Sequence, residues 1–317
     1  QTQIADLQAR IATLESNACE CPLKIYPYGQ LVALGPAGSF DDLAAWDATV
    51  VKKDGVYHMW YRGRSTVVNA SVGYATSTDG VTWTKQNSGN PVLSHYHGGT
   101  PSENYDIHYP RAVVDENGNF RLYYARAYDE LAGEPHEIWT AWSSDGITWN
   151  KHRKVRDNAD LAIPLYADGT YYLWYTSGSF DGGVINFNTS PDGENYSWPA
   201  GVHLSADGAG SWEGAWVAPN AVTKTADGFK MWYMGASVAI GTATSTDGIN
   251  WTKNPANPVL YNGPLGIEGS FTAFASVVPD DNSVKIYFSD GDMGATGPEN
   301  QRIGMAIQAL QCASVGG

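Results

Sequence analysis

Alternating apolar and polar positions, closed by two or three large aromatics, recur along the chain just after a turn. The copies are Gly55-Val-Tyr-His-Met-Trp-Tyr61, Gly118-Asn-Phe-Arg-Leu-Tyr-Tyr124, Gly169-Thr-Tyr-Tyr-Leu-Trp-Tyr175 and Gly228-Phe-Lys-Met-Trp-Tyr233. A weaker fifth is Asn282-Ser-Val-Lys-Ile-Tyr-Phe288, and the spacings between first positions are 63, 51, 59 and 54 residues. Period-two patterning with aromatics and β-branched residues predicts strands, and self-similarity at this period predicts a repeat architecture. A short apolar stretch precedes each aromatic strand, such as Ala48-Thr-Val-Val51, Ala112-Val-Val114 or Asn220-Ala-Val222. A strand of small residues follows, such as Val72-Gly-Tyr-Ala-Thr76 or Ile240-Gly-Thr-Ala-Thr244.

A second motif closes the unit: Ser77-Thr-Asp-Gly-Val-Thr-Trp83, Ser144-Asp-Gly-Ile-Thr-Trp149 and Ser245-Thr-Asp-Gly-Ile-Asn-Trp251, with Ser190-Pro-Asp-Gly193 as a degenerate copy whose Trp198 is delayed. Asp-Gly predicts a type I′ hairpin turn with both central residues at positive φ. The following Trp is expected to pack between units. Four strands per 50–60 residues, five times over, predict an all-β fold: a five-bladed β-propeller of four-stranded antiparallel blades over 44–317. A β-sandwich with coincidental hairpins is the competing architecture.

The N-terminus breaks the pattern. Ile4, Leu7, Ile11 and Leu14 follow 3-4-3 spacing, which predicts a short coiled-coil-like helix over 1–21. Two heptads are marginal alone, so the segment is expected to self-associate, or else to pack on the propeller. Residues 22–43 read as a connector and blade-closing strand.

Composition then narrows the partners. A net charge of −14 argues against nucleic acid and anionic membranes as partners. No apolar run is long enough for a membrane span. The acidity serves solubility or Ca²⁺ binding. Cys19, Cys21 and Cys312 lie at the two ends, where propeller termini meet, so a disulfide from Cys312 to either partner and a secreted or cell-surface location are expected. The leftover cysteine could join two chains. The set is too small for a structural zinc site.

The stretch Trp46-Asp-Ala-Thr-Val-Val51 followed by Asp54-Gly-Val-Tyr-His-Met-Trp-Tyr61 resembles the five-bladed glycosidases, as do Ala75–Trp83 and Ala243–Trp251. That group includes arabinanases, β-xylosidases, invertases and levansucrases, and the family-43 glycoside hydrolases belong to it. The resemblance covers nearly everything after residue 40 and specifies the blade more than the reaction. It implies a polysaccharide or glycan as substrate or ligand. It also implies an inner-strand Asp of the first blade as base or nucleophile, a second-blade Asp, and a Glu acid from a later blade.

Asp47 matches the first position. Where the family has Asp-Pro, this chain has Tyr109-Pro110, with Asp106 three residues earlier as a substitute. The family's Glu-Gly-Pro is missing, and Glu213 in Ser211-Trp-Glu-Gly-Ala-Trp216 is the first replacement, ahead of Asp160 and Glu268. Trp46, Tyr105, Tyr109, Trp212 and Trp216 suit stacking on sugar rings or packing between blades. His108 could approach an axial Ca²⁺, and Arg111 and His108 complete the candidate substrate contacts. Sialidase-like propellers are the rival family. Their box separates Asp from Gly, whereas Asp79-Gly80 and Asp247-Gly248 are adjacent, and only Arg111 lies on an inner strand to hold a carboxylate.

Two functions follow: a glycosidase with Asp47 as base and Glu213 as acid, or a non-catalytic glycan-binding or structural surface protein carrying a propeller head on an oligomerising helix.

Overall fold

A computed structural model describes residues 24–25, 30–65, 70–94, 106–127, 136–177, 183–197, 203–236, 239–260, 273–280, 282–290 and 302–309. The expected N-terminal helix, the three cysteines, Tyr105, Trp198 and Glu268 lie outside them.

The chain enters through β1 (Lys24–Ile25) and then builds five antiparallel sheets in order. Blade 1 holds β2 (Ala44–Lys53), β3 (Val56–Arg64), β4 (Ser71–Ser77) and β5 (Thr84–Lys85). Blade 2 holds β6 (Asp106–Val114), β7 (Phe120–Ala127), β8 (Glu137–Ser143) and β9 (Asn150–Asp157). Blade 3 has three strands, β10 (Ala159–Ala167), β11 (Thr170–Ser177) and β12 (Val184–Ser190), and its fourth shrinks to the single bridge Thr189↔Ser197. That is where the Asp-Gly motif is degenerate. Blade 4 holds β13 (Val217–Thr225), β14 (Gly228–Gly235), β15 (Ile240–Ser245) and β16 (Thr252–Lys253). Blade 5 holds β17 (Ala273–Asp280), β18 (Ser283–Asp290) and β19 (Arg302–Ala309), and β1 supplies its outer strand through Lys24↔Ile307 and Ile25↔Ala306. The architecture is the five-bladed propeller that the repeat predicts.

Closing a ring requires blade 5 to grip blade 1. Asp280 accepts from Lys52 Nζ at 2.6 Å and from the Tyr57 hydroxyl at 2.7 Å, and Ser276 Oγ accepts the Val50 N–H at 2.9 Å. Sheet-to-sheet packing supplies the rest: Tyr57, Met59 and Val50 of blade 1 bury against Val278, Tyr287 and Met305 of blade 5.

The Ser-x-Asp-Gly turns are not type I′. Gly80, Gly146, Gly193 and Gly248 have positive φ, but the Asp before each does not. Instead, the Ser hydroxyl (Ser77, Ser143, Ser190, Ser245) donates to the Asp carboxylate and accepts the Gly N–H, while the same carboxylate oxygen accepts the next two N–H groups. Such side-chain capping replaces the backbone ladder at a turn. True two-residue turns with both φ positive occur at Asp54-Gly55 and Asp168-Gly169, between the first two strands of blades 1 and 3.

The turn's Gly carbonyl is then read by the neighbouring blade. Trp60 Nε1 donates to Gly146 O at 2.9 Å, the Tyr123 hydroxyl to Gly193 O at 3.0 Å, Trp174 Nε1 to Gly248 O at 2.9 Å and the Tyr287 hydroxyl to Gly80 O at 2.9 Å. In these four seams the donor is the first of the two adjacent aromatics that end the motif of the second strand: Trp60, Tyr123, Trp174 and Tyr287. This explains why the two sequence motifs travel together: one is the latch, the other its catch. The motif tryptophans pack across the same seams, Trp149 edge-on to Trp60, Trp251 to Trp174 and Trp83 to Tyr287.

Candidate functional site

All five inner strands carry a bulge near their start, between Trp46 and Thr49, His108 and Arg111, Asp160 and Ile163, Pro219 and Ala221, and Ala273 and Ser276. In blades 1 to 3 the bulged residue is Asp47, Tyr109 or Leu161, each a non-glycine at φ of 51°, 51° and 46°. Left-handed backbone at such residues costs on the order of 1–3 kcal/mol and collects at functional sites. The extra residue re-aims the side chains at the end of the propeller where the inner strands begin.

Asp47 is fully buried there. Its N–H donates to Ser289 Oγ of blade 5 at 2.8 Å. Its Oδ1 accepts from Arg111 Nη1 at 2.9 Å and its Oδ2 accepts the Tyr109 N–H at 2.9 Å, both from blade 2. One residue therefore joins three blades, its carboxylate reaching blade 2 and its backbone N–H blade 5. Burial pushes its pKa up, against the pull of Arg111, of the more distant Arg62 and of the Tyr109 N–H. Arg111 is itself buried, and Nη1 also donates to Pro110 O at 2.7 Å.

Around this pair the site is aromatic and cationic. The Arg62 guanidinium sits over the Trp46 ring, 4.7 Å from its centroid. His108, fully buried, stacks on His136 with ring centroids 5.3 Å apart. Burial, with Arg62, His136 and Arg64 nearby, holds His108 well below its ordinary value of 6.5, so it is neutral. His136 Nδ1 lies 2.8 Å from Asp160 Oδ2, and Asp160 Oδ1 accepts the Leu161 N–H at 2.9 Å. Tyr109, Leu161, Ala218 and Met234 form an apolar cluster, with Trp216 packed against it.

The remaining candidates stand elsewhere. Asp106 Oδ1 accepts the Ala70 N–H at 2.9 Å and ties blade 2 to the loop ahead of β4. Glu213 is sealed within blade 4, where Oε1 accepts from the Tyr233 hydroxyl at 2.7 Å and Oε2 accepts from Lys253 Nζ at 2.5 Å and from the Asp207 N–H at 2.8 Å. Blade 1 repeats this arrangement with Asp41, Tyr61 and Lys85, at 2.8 Å and 2.5 Å. Phe40 lies against Tyr61 as Trp212 lies against Tyr233. Glu213 thus occupies the same place as Asp41, that of a brace between the second and outermost strands of its own blade. Its described partners are all in blade 4, and those of Asp47 are in blades 2 and 5.

The signal for this was in the sequence. Gly38-Ser-Phe-Asp41 and Gly210-Ser-Trp-Glu213 are one motif, each followed 20 residues after its acid by a Tyr. Sequence reasoning also missed Arg62, Arg64, Arg126 and His136, which lie where second and third strands return to the site. Among the described residues no group of three metal-ligating side chains could hold an ion.

No family model matches the chain, and no curated protein is similar to it in sequence. Solved structures are similar in fold. An N-acetylgalactosamine deacetylase from F. plautii, in complex with blood group B trisaccharide, superposes with a TM-score of 0.70 at 18% identity, over 90% of this chain and 95% of that one. The chain has the fold of the five-bladed glycosidase propellers. A thermostable family-43 glycoside hydrolase matches this propeller at TM-score 0.63 and 18% identity, over 89% and 94% of the two chains. The β-1,2-mannobiose phosphorylase of Listeria innocua, in complex with β-1,2-mannobiose, gives 0.65 at 13% identity over 91% and 97%. By name, these three propellers carry out deacetylation, hydrolysis and phosphorolysis, so the shared blades do not select a reaction.

Proposed function

We propose that this propeller binds a glycan at the face where its inner strands begin, over blades 1 to 3, and does not cleave it through Asp47 and Glu213. Support for the ligand class comes from the glycan chemistry of the structural neighbours and from Trp46, Tyr109, His108, Arg111 and Trp216 gathered about the bulges.

The observation that carries the non-hydrolytic half is the state of Asp47. Glycoside hydrolysis needs two carboxyl groups facing across the bond, about 5–10 Å apart, one of them free to act on water or the anomeric carbon. Asp47 is buried and spends one oxygen on Arg111 and the other on Tyr109 N–H. Glu213 spends both of its oxygens bracing blade 4. In this reading Asp47 is a positioning residue that sets Arg111 and the blade 2 bulge.

A catalytic reading has one observation in its favour, the His136–Asp160 contact beside His108, which joins a carboxylate to a titratable ring at the same face. The extracellular setting, self-association through 1–21 and a disulfide at the chain ends remain part of the proposal, supported by the heptad spacing and the cysteine positions.

Incubation with aryl glycosides, arabinan, xylan and fructan, followed by reducing-end detection, tests the reading. It predicts binding to at least one glycan with no product. Product formation abolished by Asp47→Asn or Glu213→Gln in a folded protein would overturn it.

A further inference from the structure

The described residues bury four carboxylates, Asp41, Asp47, Asp160 and Glu213. Three are paired with fixed cations, Asp41 with Lys85, Asp47 with Arg111 and Glu213 with Lys253. Asp160 differs, because its side-chain partner is an imidazole, His136 Nδ1 at 2.8 Å. The carboxylate is itself tightly held. Its Oδ1 accepts the Leu161 N–H at 2.9 Å in the blade 3 bulge, and the Asp160 carbonyl accepts from the Thr176 hydroxyl at 3.1 Å.

His136 is where this arrangement meets solvent. Its side chain keeps 18% of its surface exposed, whereas His108, on which it stacks, is fully buried. The bond to a carboxylate makes Nδ1 the donor, which places the lone pair of the neutral ring on Nε2. The ring is oriented twice, by Asp160 at its edge and by His108 across its face. Glu137, next along the chain, is committed to Lys154 Nζ at 3.0 Å and Trp139 Nε1 at 2.8 Å. An imidazole whose tautomer is held by a buried carboxylate is built to take up and return a proton.

A single base of this kind selects the bond it can break. Glycosidic cleavage needs a pair of carboxyl groups, and Asp47 and Glu213 are already spent. An ester needs one group that activates water and then protonates the leaving oxygen. We propose that His136, positioned by Asp160, removes ester-linked acyl groups from the glycan bound at this face. Nε2 takes a proton from water as the water oxygen bonds to the acyl carbon and the carbonyl electron pair moves onto its oxygen. When that pair returns, the bond from the acyl carbon to the sugar oxygen breaks, and the sugar oxygen takes the proton from Nε2. The products are a carboxylic acid and a sugar hydroxyl, with water as co-reactant and the glycan backbone intact. The proposal rests on the glycan-binding reading above and adds a reaction that creates no reducing end.

Release of acetate from chemically O-acetylated arabinan, xylan, fructan and polygalacturonate by the full chain tests it. At least one polymer should lose acetate well above the rate in buffer, with kcat rising with pH through the histidine range. Of the groups around the ring, His108 is already neutral there and Arg62 and Arg64 keep their charge, so that rise belongs to the His136–Asp160 pair. His136→Gln should cut kcat about a hundred-fold or more and leave KM within about three-fold. Asp160→Asn should lower kcat about ten-fold or more and move the rise to lower pH, a shift that a merely structural residue does not cause. Should the variants not fold, the unaltered protein still decides, and a rate independent of pH overturns the proposal. No acetate from any of the four polymers while binding persists overturns the esterase and leaves glycan binding standing. Release unchanged in a folded His136→Gln does the same. If neither binding nor release is seen, both readings fall.

Discussion

Asp47 and Arg111, 64 residues apart in the chain, meet in a 2.9 Å ion pair between the bulged inner strands of blades 1 and 2. The pair stands at the position where the resemblance to glycosidase propellers implies a reactive carboxylate. Its geometry makes the carboxylate a strut, with consequences for stability that can be measured.

Removing one partner of a buried pair strands the other. Asp47→Asn tolerates the positive φ and keeps the shape, so its cost comes from the unpaired guanidinium, about 3–5 kcal/mol. Asp47→Asn combined with Arg111→Met should recover much of that loss. Urea unfolding of the three proteins checks the order: wild type above the double variant, and the double variant above Asp47→Asn.

The inter-blade latches should be separable. Trp60→Phe and Trp174→Phe delete the indole N–H that reaches Gly146 O and Gly248 O; Gly146 O then loses its indole donor, whereas Gly248 O keeps the Trp251 Nε1–H at 3.1 Å. Trp60→Phe should cost about 1–3 kcal/mol and Trp174→Phe less, and the two together should be close to additive because they sit in different seams. Thermal unfolding of the single and double variants reads this out, and a strongly non-additive pair would contradict independent latches.

If Glu213 is a brace, its loss should be felt in stability and not in binding. Glu213→Gln weakens the contact to Lys253, and Asp41→Asn does the same to Lys85 in blade 1. Both variants should lower the unfolding midpoint to a similar degree and leave glycan affinity within two-fold. A folded Glu213→Gln with affinity reduced ten-fold would return that residue to the site.

Acid should destabilise the fold in two stages. His108 is held neutral by burial and by the cations around it, so the unfolded chain takes up a proton that the folded one refuses. Stability should therefore begin to fall as pH drops below about 6.5, the ordinary histidine value. The second stage comes from the turns. Asp79 is held down to about 2 by the Thr82 and Val81 N–H groups. Asp247 is lowered by Asn250 and Ile249, and in Asp145 and Asp192 the same kind of donors outweigh burial. A lowered carboxylate stabilises above its unfolded value and loses that contribution as pH falls toward its folded one, here from about 4 to about 2. Asp280, lowered by Lys285, Lys52 and Tyr57 against its burial, adds a fifth group of this sign, and Asp47, pushed up by burial, is the one carboxylate among them with the opposite sign. Unfolding midpoints between pH 8 and 2 should show both stages, and His108→Gln should reduce the first, to which His58 and His203, also lowered by burial, add with the same sign.

The propeller was legible because each blade repeats two motifs whose contacts are mostly local or one blade away. Turn geometry was not, since Asp-Gly supports either a type I′ turn or a serine-capped one, and only the hydroxyl of Ser77 or Ser143 decides between them. Asp47 was singled out because it lies in the resembling stretch. Its partner Arg111 was named as a sugar contact, and nothing in spacing along one strand shows that it crosses to blade 1. Arg62 and Arg126 lie on aromatic strands that read as packing, and only the register of β3 and β7 brings them to the site. The surroundings of Glu213 were not legible because a carboxylate before an inner strand can face the axis or turn back into its blade, and its contact with Lys253, 40 residues on, shows only in the structure.

The most direct test of glycan binding at this face is affinity electrophoresis of the purified chain through gels containing arabinan, xylan, fructan or polygalacturonate. The account predicts retardation by at least one of them, with Trp46→Ala migrating as in a gel without polysaccharide and no shortening of the polymer. Unretarded migration in every gel, or retardation unchanged in Trp46→Ala, would contradict it.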